Sequence, residues 1–162
     1  MLHGRQLLVT APHAVGFAPV AYDPAALGGR ELLLRLEYSV VSPGAALAFY
    51  TGVQRDMFAR EGRPFSYPTG VGYAGVGRLV AKGSAVPDGE LRVGERVLAS
   101  PRHASLAKIS ADGLVVRVPD GIPPRLAGFA RLAAISATAL RVASCRAGDW
   151  VAVYGLGLIG NF

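Results

Sequence analysis

The segment most suggestive of chemistry is VYGLGLIGNF, in which Gly155, Gly157 and Gly160 follow an apolar run with the spacing G-x-G-x-x-G. Where a strand turns into a helix, the first glycine of this pattern allows a tight turn and the second lets the backbone approach a pyrophosphate. The third lets the next helix pack closely on the strand. The pattern predicts that these glycines, with Leu158 and Ile159 between them, bind a dinucleotide. The alternative is a glycine-rich strand end without a ligand.

The sequence around this motif supplies half of what such a turn requires. Residues 150–154 read WVAVY, a strand pattern that starts directly after Gly148 and Asp149. The other half is a helix whose N-terminus holds the phosphates, together with an acidic residue about 20 positions further on. Both would lie past Phe162. We therefore expect the sequence to be the truncated N-terminal part of a longer protein.

Other kinds of chemistry have little support in the sequence. His3, His13 and His103 are far apart, and neither an H-E-x-x-H nor a C-x-x-C spacing accompanies them. The single cysteine, Cys145, excludes an intrachain disulfide and a four-thiolate zinc site. There is no G-x-S-x-G elbow and no Walker sequence. The residues therefore predict no metal site and neither a hydrolase nor a nucleoside triphosphatase.

Composition and charge narrow the classes further. The chain has 162 residues, 51% of them hydrophobic and 17% charged, which is typical of one folded domain rather than a disordered segment. Its net charge is +6, but the basic residues are scattered and do not form the stripe expected of a nucleic-acid-binding surface. This balance suits an anionic small ligand. The apolar runs are too short to span a bilayer, so we expect a cytoplasmic protein with neither a nucleic-acid nor a membrane partner.

Residues 1 to about 120 have the pattern of short strands separated by turns. In RELLLRLEYSVVS, period-two alternation predicts that one face carries an apolar set of side chains: Leu32, Leu34, Leu36, Tyr38 and Val40. Pairs such as Pro43-Gly44 and triplets such as Pro119-Asp120-Gly121 mark the turns. Strands at this spacing predict a small all-β barrel or sandwich.

The pattern changes at residue 123. Residues 123–148 are rich in alanine, leucine and arginine, with proline at the first turn and AGD at the end, which predicts a helix. Gly128 leaves room for two short helices in place of one. The predicted order is therefore a β module, a helical segment and then a strand that ends in the glycine turn.

This order of segments resembles the N-terminal part of the medium-chain dehydrogenase/reductase superfamily, the alcohol-dehydrogenase-like enzymes. The resemblance spans essentially the whole chain and is carried by EYSVVSPGAAL, YPTGVGYAGVGRLVAKG, LRVGERVLAS, RHASLAKI, VVRVPDGI and GDWVAVYGLGLIGN. It implies a mainly β, GroES-like, partly open barrel as the catalytic domain over residues 1–122. A connecting helix region over 123–148 would lead to residues 149–162, the first strand and glycine turn of an incomplete Rossmann domain.

The resemblance also implies that zinc is absent. Zinc-bearing members carry a cysteine in a segment like VVSPGA and a His-Glu pair where this chain reads GYAG. Ser42 or Pro43 takes the cysteine position here, and Tyr73 and Ala74 take those of histidine and glutamate. Proline, tyrosine and alanine do not replace the ligands of a tetrahedral zinc site. We therefore expect a zinc-free member, as in the quinone-oxidoreductase and enoyl-reductase branches.

Without a metal, hydrogen-bond donors must polarise the substrate. Tyr73 is the first catalytic candidate, because its phenol could donate a proton to a nascent oxyanion, although a packing role is an alternative. Ser42 and His103 are the other catalytic candidates. The alternative for Ser42 is a role in the turn only, and the alternative for His103 is an exposed histidine at the barrel rim that has no function. Tyr50 is the candidate substrate-binding residue, with core packing as the alternative.

The function predicted from the sequence is hydride transfer between NADP or NAD and a small carbonyl, alcohol or activated-alkene substrate, by a homodimer when full length. The fragment alone is expected to be inactive. Two rivals stay open: a non-catalytic GroES-like β module that acts as a scaffold or binds a ligand, and a crystallin-like relative that binds NADPH structurally.

Overall fold

The structure is a computed structural model that describes residues 1–53 and 66–162. The described strands are β1 (Leu2–Ala11), β2 (Ala14–Tyr22), β3 (Glu31–Ser39), β4 (Thr69–Gly70), β5 (Gly75–Lys82), β6 (Arg96–Ala99), β7 (Leu106–Ser110) and β8 (Val115–Arg117). The described α-helices are α1 (Pro43–Thr51), α2 (Pro124–Ala127) and α3 (Ala130–Val142), and Pro24–Ala26 forms a single 3-10 turn. The prediction of a mainly β architecture is confirmed.

The strands form two antiparallel sheets. One has the order β2-β1-β4 and the other the order β7-β3-β5-β6-β8. The segment 103–105 joins them, because it bonds to β1 on one side and to β3 on the other. The Leu7 amide donates to the His103 carbonyl at 2.8 Å, and the Leu36 amide donates to the Ser105 carbonyl at 3.0 Å. His103 is thereby fixed at the junction of the two sheets.

The central strand β3 supplies much of the core but does not keep a single apolar face. Leu32 and Leu34 are fully buried and Leu36 packs against the same core. Tyr38 was predicted to share their face, and this is wrong, since 48% of its surface is exposed. The register with β5 shifts between Leu36 and Tyr38. An extra residue at such a bulge reverses the alternation that follows it, which explains the change of side.

The helical segment contains two α-helices with Gly128 between them, as the second of the two predicted arrangements required. A Cβ built on Gly128 would lie 2.7 Å from Cγ2 of Val40, at the end of β3. The missing side chain therefore lets the corner between α2 and α3 pack against the β module. Within the described ranges, none of the helices combines the length and the hydropathy required to cross a membrane.

The predicted strand in residues 149–162 is not formed in the structure. Residues 149–156 have no ladder partner among the described residues. Trp150 and Tyr154 are almost completely exposed, at 102% and 95%. A strand requires a hydrogen-bonded neighbour as well as an apolar pattern, so the pattern alone could not produce one here. That this segment opens a Rossmann domain stays a prediction.

Candidate functional site

The glycine turn has the backbone features that a dinucleotide-binding turn requires. Gly155 has φ +91°, a conformation that other residues rarely adopt. A Cβ on Gly160 would lie 1.9 Å from the Gly155 carbonyl oxygen, so the turn can close only with glycine there. Gly157 has neither constraint, since its φ is not positive and nothing lies within 4 Å of a Cβ built on it. The fold gives no steric reason for glycine at 157, whereas a ligand approaching the backbone would give one.

Hydrogen bonds hold this turn against α3. The Ser136 hydroxyl donates to the Ile159 carbonyl oxygen at 2.7 Å. The Asn161 amide N–H donates to the Gly157 carbonyl at 3.0 Å, and its side-chain amide donates to the same oxygen at 2.9 Å. The bond from residue 161 to residue 157 has the spacing of an α-helical turn. The turn is thus ordered by its own residues and by the helix beside it.

A large cleft of about 1010 Å³ brings the predicted cofactor-binding residues together with one catalytic candidate. Its walls are the start of α1, one side of α3 and the segment after residue 150. The lining includes Ser42, Pro43, Leu132, Ser136, Gly155, Gly157, Leu158, Ile159 and Gly160. Ser42 and the glycine turn therefore face the same space, although their sequence separation exceeds one hundred residues.

Ser42 is placed in this cleft by the start of α1. The helix begins with Pro43, and the Ala46 amide donates to the Ser42 carbonyl at 2.9 Å. The Ser42 hydroxyl makes no capping hydrogen bond to the helix. A serine at this position usually caps the helix through its hydroxyl. Here only the backbone carbonyl of Ser42 takes part in the turn, so its hydroxyl is left for another partner.

A smaller apolar depression of about 330 Å³ contains Tyr50 and His103 together. Tyr50 lies near the end of α1, and the ring of His13 contacts its ring edge-on, with centroids 5.2 Å apart. Pro43 lines both this depression and the large cleft. The first turn of α1 therefore separates the space beside the glycine turn from the space beside Tyr50 and His103.

His103 is buried, which excludes the alternative of an exposed histidine at the barrel rim. Only 6% of its surface is accessible, and its Nδ1 lies 3.0 Å from the Ser39 hydroxyl. Gly72 permits this placement, because a Cβ on it would lie 2.9 Å from the imidazole Cγ. Burial lowers the pKa of His103 below its ordinary value of 6.5, so the imidazole is neutral near pH 7.

Tyr73 lies apart from the lining of both spaces. It is half-buried, and the Arg131 guanidinium lies over its ring at 5.6 Å from the centroid. Val71, two residues before Tyr73, lines the apolar depression, and Leu132, directly after Arg131, lines the large cleft. The contact of Tyr73 with Arg131 thus joins the β module to α3. Its catalytic role stays a prediction.

The side chains that the described part of the chain brings together do not form a metal centre. In residues 1–53 and 66–162, no three His, Cys, Asp or Glu side chains lie close enough to hold an ion. Ala74, at one of the positions compared with zinc ligands, is fully buried. The expectation that the protein works without zinc stays a prediction.

No protein-family model matches the chain, and no curated protein matches it in sequence. Solved structures do match. An oxidoreductase/dehydrogenase of unknown specificity from Escherichia coli is 17% identical with a TM-score of 0.79, over 98% of this chain and 52% of that one. A short-chain alcohol dehydrogenase from Escherichia coli, solved with NADH, is 19% identical with a TM-score of 0.78, over 98% and 51%. The quinone oxidoreductase from Coxiella burnetii is 15% identical with a TM-score of 0.71, over 91% and 47%.

The chain shares its fold with these oxidoreductases. It spans about half the length of each of them. At these identities the likeness establishes the fold, and function must be argued from the site.

Two residues of this region were missed by sequence reasoning. Ser39, the partner of His103, is 64 positions away in sequence and carries no signal of its own. Arg131 was counted only as part of the basic surplus. A signal existed, because Arg131 is a charged residue among the alanine and leucine of the predicted helix.

Proposed function

We propose that the chain is the N-terminal part of a zinc-independent, NAD(P)-dependent oxidoreductase of the medium-chain type. Its substrate would be a carbonyl compound, an alcohol or an activated alkene. The observation that carries the proposal is the cleft in which the glycine turn and Ser42 face each other. The fold shared with a dehydrogenase solved with NADH supports it.

The glycine turn would hold the pyrophosphate of the cofactor. Gly157 leaves its backbone open to a ligand, and the residues fit the group in this respect. When bound, the nicotinamide supplies or accepts the hydride, which no side chain can do.

The protein's own side chains would bind and orient the substrate. The depression beside Tyr50 is lined mainly by apolar residues such as Val9, Val41 and Leu47, and would receive an apolar substrate group. His103 stays neutral and hydrogen-bonded to Ser39. The Ser42 hydroxyl, which lines the cleft, would bond to substrate or cofactor, whereas Tyr73 lines neither space and is assigned no contact with the substrate. We further propose that the full-length protein is cytoplasmic and homodimeric.

Cofactor binding by the full-length protein tests the proposal. NADPH and NADH are titrated against wild type, Gly157→Val and the control Gly89→Val. A Cβ on Gly89 also meets nothing within 4 Å, and this glycine is far along the chain from the turn. We expect Gly157→Val to weaken binding by at least about tenfold, or about 1.4 kcal/mol, because its side chain occupies the space of the pyrophosphate. Gly89→Val should bind as wild type does, and both should keep their melting temperature.

Unchanged binding in Gly157→Val, or no binding of either nucleotide to wild type, contradicts the proposal. Turnover is then measured with each nicotinamide on aldehydes, ketones, quinones and enones. Tight binding without turnover on any of these favours the non-catalytic rivals.

A further inference from the structure

Another cavity of the β module, here named the second cavity, adjoins the apolar depression beside Tyr50 and has a volume of about 350 Å³. Leu7, Val41 and His103 line both spaces. Because Val41 is 57% exposed, the two spaces reach the surface of the molecule at the same side chain. The depression beside Tyr50 is therefore not isolated.

Strand β1 runs along both spaces. Arg5 lines the second cavity, Leu7 lines both spaces, and Val9 lines the depression. Alternate residues of a strand point to the same face, so these three side chains lie in one row. The row is about 14 Å long from Arg5 to Val9, at about 3.4 Å per residue.

The other walls pass the two spaces in the same order. On β2, Phe17 lines the second cavity and Val15 lines the depression. From the end of β3 into α1, Tyr38 lines the second cavity, Val41 lines both and Leu47 lines the depression. These five side chains are large and hydrophobic, and each is between 48% and 70% exposed. The two spaces therefore form one trough, and an exposed apolar surface of this kind marks a place where a ligand or a partner binds.

Arg5 places a positive charge in the second cavity, at one end of this trough. Its guanidinium lies over the Phe17 ring, 5.5 Å from the centroid. Among the described residues, no carboxylate lies within 4.0 Å of this guanidinium. Glu37 lines the same cavity, but its carboxylate accepts hydrogen bonds from Arg78 and Arg96. The ring covers one face of the Arg5 guanidinium and leaves free the in-plane N–H groups, which match the geometry of a carboxylate.

The opposite end of the trough lies beside the large cleft. Pro43 lines both the depression and the cleft that contains the glycine turn. A ligand in the trough would therefore have one end at a positive charge and the other end beside the cleft. Between these ends it would lie against hydrophobic side chains.

We propose that the trough binds an extended apolar carboxylic acid, with its carboxylate at Arg5 and its chain along β1 towards Pro43. One guanidinium matches the single charge of a carboxylate better than the nearly double charge of a phosphate monoester. The acid would present the end remote from its carboxylate to the cleft. Its identification as the substrate of an oxidoreductase rests on the proposed function, whereas binding of the acid does not require the cofactor.

The test uses octanoate, its neutral isostere octanamide and the short acid butyrate. Each is titrated into cofactor-free full-length protein at low salt and followed by NMR. Octanoate should bind at least about tenfold more tightly than butyrate, because its longer chain buries more apolar surface. It should bind at least about threefold more tightly than octanamide, as expected of an ion pair at a partly exposed site.

Two variants address the two ends of the trough separately. Arg5→Gln should abolish the preference for octanoate over octanamide. Its matched control is Arg35→Gln, an exposed arginine of β3 that lines neither space and should keep the preference. Leu47→Ala should weaken octanoate at least about threefold and leave butyrate unchanged, because a short acid held at Arg5 does not reach the depression. The control Leu114→Ala, at an exposed leucine outside both spaces, should bind octanoate as wild type does.

Equal affinity of wild type for octanoate and butyrate, or for octanoate and octanamide, overturns the proposal. An Arg5→Gln variant that keeps the preference for octanoate does so as well. If the trough is instead a contact between two copies of the chain, sedimentation should show that Phe17→Ala weakens self-association while octanoate affinity is unchanged, and this result also overturns it. Nicotinamide titrations are separate measurements, so loss of this proposal and loss of the proposed function give different results.

Discussion

The β module and the segment from residue 140 onward differ in how far their apolar side chains are buried and in whether their charged side chains form ion pairs. In the module, the main core is closed around a fully buried group that includes Leu32, Leu34 and Val97. After residue 140, the large apolar side chains are exposed, with Val142 at 79% and Leu156 at 75%. All seven ion pairs of the described residues also lie in the module, between residues 30 and 117.

The difference shows that an apolar sequence pattern forms a core only where strands that can pair with it are present. The module closes its main core with its own strands, although some of its apolar side chains, such as Phe17 and Val93, are exposed. The later segment carries a comparable pattern without neighbours that could pair with it. Its ordered feature is the glycine turn, which depends on local hydrogen bonds and on α3. Stability should therefore depend on the module, and cofactor affinity on the turn.

The largest difference in stability is expected when a leucine is replaced by alanine, once in the core of the module and once after residue 140. Leu34→Ala should lower the free energy of unfolding by about 2–5 kcal/mol, because it leaves a cavity in a fully buried site. Leu156→Ala, at an exposed position, should change it by no more than about 0.5 kcal/mol. Urea unfolding followed by circular dichroism measures both. Similar losses in the two variants would show that residue 156 is packed as tightly as the core.

A pair of glycines sharpens the same contrast. A Cβ on Gly83 would lie 1.9 Å from the Gly28 carbonyl oxygen, whereas nothing lies within 4 Å of one on Gly157. Gly83→Ala should therefore cost about 1–3 kcal/mol through a forced backbone shift. Gly157→Ala should leave the free energy of unfolding nearly unchanged. Thermal denaturation of the two proteins distinguishes them, and equal melting temperatures would contradict the close packing at Gly83.

Much of the fold was predictable because local patterns and packing agree. Period-two alternation identified β3, and Gly128 marked the break between two helices. Tyr38 was placed on the wrong face because a bulge depends on the partner strand, which the sequence of β3 does not contain. The strand predicted before the glycine turn is absent for a related reason, because a strand forms only when a second strand is available to bond to it.

The site was predictable only where a motif has a backbone requirement. The glycine spacing identified Gly155 and Gly160. The structure shows why both are glycine, since Gly155 has a positive φ and Gly160 lies close to the Gly155 carbonyl oxygen. The grouping of Ser42 with this turn, and of Tyr50 with His103, required the fold. The contact of Arg131 with Tyr73 joins residues 58 positions apart, so no local pattern could reveal it.

His103 should give the module a specific dependence on pH. Its folded-state pKa lies below the ordinary value of 6.5 because the side chain is buried. Between these two pKa values the unfolded chain therefore binds more protons at this residue than the folded protein does. Its contribution to stability is therefore complete above about pH 6.5 and is lost as the pH falls towards the folded-state value. Unfolding free energies from about pH 8 to about pH 5 should decline less in His103→Gln than in wild type. The control His3→Gln, at an exposed position, should follow wild type.

The smallest effect is expected at an ion pair on the surface of the module. Lys108 and Glu31 are 2.7 Å apart with side chains 37% and 33% exposed. Solvent screens such a pair, so Lys108→Gln should cost no more than about 1 kcal/mol, measured by urea unfolding at low salt. Raising the salt concentration should reduce the difference from wild type. A larger, salt-independent loss would mean that the aliphatic part of Lys108 contributes packing between β3 and β7, and that the module depends less on charge pairing than its seven ion pairs suggest.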